Sequence, residues 1–85
     1  MGEQIDYGHF DIVLADYLKG KGISKNWLSD KANLQRTQLN SYCKNSIKRP
    51  DLDVLARICY ALGCDLSDII RYVHPQERNG ENQNG

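Results

Sequence analysis

The sequence predicts an all-α domain, a compact bundle of five helices. Apolar residues recur at helical spacing in successive segments. Glycine, asparagine and proline fall where such segments must end, and no run shows the alternation of a half-buried strand. With 85 residues, 40% of them hydrophobic, the chain has the size of one domain with a modest core.

The elements follow in order. Residues 1–8 are read as a flexible arm, residues 9–74 as the domain and residues 75–85, ending in QERNGENQNG, as a disordered tail. Phe10, Val13, Leu14, Tyr17 and Leu18 lie at i, i+3, i+4, i+7 and i+8, one face of a first helix. Gly20 and Gly22 stop it, and Lys19 and Lys21 suit its negative end. Ser24 is an N-cap for a second helix, with Ile23 placed to staple onto Leu28 and with Trp27, Leu28 and Ala32 on one side. That helix ends near Asn33, which tolerates the left-handed backbone of a tight turn. A third helix runs from about Gln35 to Lys44, with Leu39 and Tyr42 inward and Leu34 at its mouth. Its other side reads Arg36, Thr37, Asn40, Ser41 and Lys44, all able to hydrogen-bond and none acidic. After a loop ending at Pro50, Asp51 caps a fourth helix with a stripe of Leu52, Leu55, Ile58, Cys59 and Leu62, stopped by Gly63. Asp65 and Asp68 open a fifth, whose apolar residues are Leu66, Ile69, Ile70 and Val73.

The formal net charge is zero, but the charge is segregated. Between Lys19 and Pro50 eight basic residues oppose one acid, Asp30, a net +7, and the rest of the chain carries −7. Such a domain can offer one positive side to a polyanion; an ordinary solvated basic surface has the same composition. No run approaches the roughly 18 apolar residues of a membrane span, and the N-terminus has no export signal, so a cytoplasmic, nucleoid-associated protein without membrane partners is expected. Cys43, Cys59 and Cys64 are an odd number of thiols, read as reduced and apolar. A zinc site from these and His74 lacks paired metal-ligand spacing. No nucleophile–base–acid set, metal site or phosphate loop is present, so neither an enzyme nor a cofactor is expected.

The informative unit is the pair of short helices around Leu34, joined by Asn33-Leu34-Gln35. Two helices on a turn of 3–4 residues form a helix-turn-helix, though a plain bundle corner has the same apolar spacing. A second helix so presented can enter the major groove of DNA. Arg36 can donate twice to guanine O6 and N7, although phosphate contact or solvation would also suit it. Asn40 can pair bidentately with adenine, and Thr37 can bond or set its methyl against thymine. Lysines position on phosphate without reading sequence. Trp27 and Tyr42 could stack on single-stranded bases, but their spacing favours the core; Gln38 sits sideways, and His9 and His74 are read as solvated.

The stretch SKNWLSDKANLQRTQLNSYCKNSIKRPDLDVLARICYALGCDLSDII resembles the phage-repressor (Cro/cI-like, lambda-repressor-like) helix-turn-helix family. The likeness lies in Leu28-Ser29, Asn33-Leu34, Leu39, Pro50, the Leu55…Ile58 stripe and Ala61-Leu62-Gly63-Cys64, and covers about residues 10–72. It implies a five-helix bundle that binds double-stranded DNA, usually as a homodimer on a palindromic operator, and acts as a transcriptional repressor or activator. It further implies base contacts from Gln35, Arg36, Thr37, Asn40 and Ser41, and backbone contacts from Ser24, Lys25, Lys44, Lys48 and Arg49. Self-association is expected on the fifth helix near Ile70, Tyr72 and Val73. Asn33 and Asn45 stand where many members have glycine, Ser29 where many have alanine, and Cys43 where many have a glutamate in an ion pair. A sequence-specific regulator, most simply a repressor, is the favoured reading. A protein-interaction module such as an antitoxin or co-regulator, built on the same fold, is the alternative, kept open by Asp51, Asp53, Asp65 and Asp68.

Overall fold

The protein, seen here in a computed structural model, is described over residues 5–75. The order is β1 (His9–Ile12), α1 (Leu14–Lys21), α2 (Lys25–Ala32), α3 (Arg36–Cys43), α4 (Leu52–Leu62), a 3-10 turn (Leu66–Asp68) and β2 (Ile70–Val73). The expected tail beyond Pro75 and the first four residues of the expected arm lie outside the described residues.

The caps fall where the sequence puts them. Ser24 Oγ accepts from Trp27 N–H at 3.0 Å, Asp51 Oδ1 accepts from Asp53 N–H at 2.9 Å, and Gly22, Asn33 and Gly63 end their helices in left-handed backbone. Gly20 lies inside α1, so Gly22 alone stops that helix. Ser29, half-buried, donates to Leu34 O at 3.0 Å and so satisfies its hydroxyl across the turn.

The five-helix expectation fails at both ends of the domain. Among the described residues four helices form, and residues 9–12 and 70–73 join instead as an antiparallel pair, with His9 opposite Val73, Phe10 opposite Tyr72, Asp11 opposite Arg71 and Ile12 opposite Ile70. Phe10 and Ile12 therefore belong to a strand, and the helix starts only at Leu14. The acid-rich start expected of Asp65 and Asp68 takes the form of a capping box, with Asp65 N–H donating to Asp68 Oδ2 at 2.9 Å. It nucleates only a single turn, because the chain leaves it at Ile69 to pair with β1. Ile70, Tyr72 and Val73, rich in β-branched and aromatic side chains, suit a pleated surface better than a helix. The self-association face expected on a fifth helix is thus a strand. Two strands alone are marginal in water, and this pair is held by packing. Ile12 and Ile69 are buried with the helices, and Val13 N–H donates to Ile69 O at 2.7 Å.

One core joins Leu14, Leu18, Leu28, Ala32, Leu34, Leu39, Tyr42, Val54, Leu55 and Ile58 with Ile12 and Ile69. Four residues that their spacing puts on apolar faces are exposed outside it, Phe10 at 67% and Leu66 at 46% among them. Leu52, in the first turn of α4, is 77% exposed, and Val54 turns inward in its place. Trp27 is 43% exposed, with the Lys31 ammonium 5.7 Å from its ring centroid. The helix-turn-helix is clamped from behind: Arg57 on α4 donates to Asn33 O at 3.1 Å and pairs with Asp53 at 3.0 Å.

Candidate nucleic-acid interface

The turn between α2 and α3 is set by Asn33, at φ 54° and ψ 52°, and by burial of Leu34 beneath it. Leu39 and Tyr42 anchor α3 to the core at one turn's spacing, as their order in the sequence requires. The Tyr42 hydroxyl reaches past the end of α3 and accepts from Asp51 N–H at 2.9 Å, which fixes the loop carrying Lys48 and Arg49. With that side inside, Gln35, Arg36 and Thr37 are exposed at the start of α3, and Asn40 and Ser41 are half-buried a turn later. Lys44, Lys48 and Arg49 are exposed beyond its C-terminal end, while Ser24 is exposed and Lys25 half-buried at the start of α2. No acidic side chain belongs to α3.

The individual geometries refine these roles. Gln35 is the N-cap of α3 but makes no side-chain cap, so its amide is free. Arg36 donates through Nη1 to Asn26 Oδ1, a link from α3 back to α2 that sequence spacing gave no signal for. One Nη1 donor is thus engaged, and other guanidinium donors remain for a ligand. Ser41 Oγ donates to Thr37 O at 3.2 Å, so its hydroxyl keeps acceptor capacity but has spent its proton on the helix. The Asn40 side-chain oxygen is buried without a hydrogen-bond partner. The bidentate adenine pairing expected of Asn40 needs both oxygen and nitrogen at the surface, so this rotamer does not offer it. Ser24 spends its oxygen on the α2 cap and leaves its own O–H to donate.

Asn45 ties the end of α3 to the sheet. It sits in left-handed backbone at φ 58°; its oxygen accepts from Ile12 N–H at 2.7 Å and its amide donates to Asp11 at 3.1 Å. The sequence shows the left-handed asparagine, but not these partners 33 and 34 residues away. Cys43, the last residue of α3, is half-buried, and burial raises its thiol above the usual range against the opposing charges of Lys25 and Arg36. Among the described residues no three His, Cys, Asp or Glu side chains are grouped to hold a metal ion, and no helix is long and apolar enough to cross a membrane.

No curated protein matches the sequence. Two solved structures share the fold. One is a protein from Bacteroides fragilis described as DNA-binding, with 21% identity, a TM-score of 0.63 and an alignment covering 73% of this chain and 98% of that one. The other is the transcriptional regulator VanUg, with 23% identity, a TM-score of 0.61 and coverage of 87% and 100%. The model of one sequence family matches residues 13–75, from the residue before α1 through β2, and so spans both helices of the motif and the core that holds them. The chain belongs to the Cro/C1-type HTH DNA-binding domain family.

Proposed function

We propose that the protein is a sequence-specific transcriptional regulator that lays α3 in the major groove of double-stranded DNA. The observation that carries this reading is the acid-free side of α3: Gln35, Arg36 and Thr37 stand exposed, and exposed Lys44, Lys48 and Arg49 continue the positive surface past the helix end. Arg36, and Gln35 and Thr37 beside it, read base edges, with Asn40 and Ser41 a turn further in. Ser24, Lys25, Lys44, Lys48 and Arg49 hold phosphate and set the register. A homodimer on a palindromic operator would place two such helices one helical turn apart, about 34–36 Å. Repression is the simplest output, since occupancy alone excludes other proteins from the site.

The interaction-module reading is weakened by the acids that kept it open. Asp51 caps α4, Asp53 pairs with Arg57, and Asp68 closes the capping box with Asp65, so each has structural work.

Selection of bound sequences from a random duplex pool tests the reading. A two-fold symmetric consensus should emerge, bound with steep salt dependence. On that site Arg36→Ala should relax preference at one base pair, a loss of about 1–3 kcal/mol of discrimination, whereas Lys48→Ala should weaken all sequences alike. Loss of neither affinity nor preference in Arg36→Ala would remove α3 from the groove. A protein partner retained in high salt, with no shift of any duplex, would favour the antitoxin or co-regulator reading.

A further inference from the structure

The end of α4 brings two thiols together in a way the DNA-facing surface does not use. Gly63 takes left-handed backbone, at φ 65° and ψ 37°, and donates to Tyr60 O at 3.3 Å; Cys64 N–H donates to Cys59 O at 3.1 Å. This pair of bonds is a Schellman ending, in which the residue after the left-handed glycine lies beside a residue of the last helical turn. The side-chain contact it makes is ordinarily apolar, and here both members are thiols. Cys59 and Cys64 are each half-buried, and the Cys59 thiol and the Tyr17 hydroxyl on α1 are among the groups that perturb the Cys64 thiol. Through the 3.1 Å bond, standard covalent geometry caps their Cα separation at about 7 Å. A disulfide spans about 4.4–6.8 Å, a range that lies within this bound.

We propose that Cys59 and Cys64 are an oxidisable dithiol that closes to an intramolecular disulfide by exchange with a low-molecular-weight disulfide such as glutathione disulfide. The Cys59 thiolate attacks one sulfur of glutathione disulfide and expels one glutathione thiolate. Cys64 loses its proton to solvent, attacks the Cys59 sulfur and expels the second. Two protein thiols are oxidised and one external disulfide is reduced to two thiols. The order follows from the surroundings: burial first, and then the neighbouring Cys59, push the Cys64 thiol up to about 11. So protonated a group is poor in a bimolecular encounter, but it can serve in the second, intramolecular step, where proximity offsets a small thiolate fraction. Cys43 lies on α3, outside this Schellman ending, and stays reduced.

The test is a thiol count on the full chain, unfolded after incubation with glutathione disulfide. The reduced protein has three thiols; the treated protein should show one, with the mass of two hydrogens lost and a peptide joining Cys59 to Cys64. Closing so short a ring should raise Tm by roughly 5–10 °C, reversed by dithiothreitol. Cys64→Ser should stop at a glutathione adduct on Cys59, Cys59→Ser should form no adduct at the same rate, and Cys43→Ser should close normally. Three thiols persisting in the wild-type protein, or stable adducts on both Cys59 and Cys64, would overturn the proposal. An adduct on Cys64 forming as fast in Cys59→Ser would overturn the order.

Discussion

Asn33 and Asn45 adopt the same left-handed backbone, at φ 54° and 58°, for different reasons. Asn33 ends α2 through its main chain, and Arg57 is bonded to its carbonyl, not to its side chain. Asn45 uses its side chain twice, on Ile12 N–H and on Asp11. Glycine relieves the left-handed cost at both positions, but only at Asn45 does it also break two hydrogen bonds and orphan a part-buried N–H. Urea unfolding should therefore find Asn33→Gly within about 0.5 kcal/mol of wild type and Asn45→Gly destabilised by about 1–2 kcal/mol. Equal effects would mean that the Asn45 bonds carry no net stability. At this scale the sequence shows a residue's backbone preference, because that preference is local. It shows a partner only when the partner is near in the chain, as for Ser24 with Trp27 or Ser29 with Leu34. The Arg36–Asn26 link and the Tyr42–Asp51 bond cross between elements and are visible only once those elements pack.

Among the elements, the helices of the motif are legible and the strands are not. Helices α2 and α4 announce their own starts and stops, in Ser24 and Asn33 and in Asp51 and Gly63, whereas α3 is marked by the inward spacing of Leu39 and Tyr42. The spacing of Phe10, Val13, Leu14, Tyr17 and Leu18 fits a helix face, yet the first of these residues pairs with Tyr72, 62 positions later, at a ring separation of 5.2 Å. Only that distant pairing makes a strand of the segment. Gly8 is the entry point: its φ is +80°, and a Cβ there would lie 2.4 Å from Val73 O and 2.6 Å from the Tyr72 hydroxyl. Gly8→Ala should cost roughly 1–3 kcal/mol and push β1 off β2. Amide exchange would read this as faster exchange in His9–Ile12 and Ile70–Val73, with Leu28 and Leu39 unchanged. Uniform loss of protection across α2 and α3 would show that the sheet is not a separable unit.

For the molecule as a whole, the ending of α4 links stability to pH. The Cys64 thiol is raised from 9.0 to about 11 in the folded state, so the native protein holds this proton more tightly than the unfolded chain. That contribution is complete below pH 9.0 and is lost as the pH climbs through about 11. Under reducing conditions the urea midpoint should fall across this alkaline window, and Cys64→Ala should flatten the fall. An identical slope in the variant would place the titration elsewhere. The sequence by itself determined the helix-turn-helix, its caps, its left-handed asparagines and the acid-free side of α3, because all of these depend on residues within a turn or two of one another. Tertiary structure decided that His9–Ile12 and Ile70–Val73 pair as strands, that Val54 rather than Leu52 enters the core, and that Asn45 fastens α3 to β1. These outcomes rest on the free energy of bringing distant segments together, which no local pattern encodes.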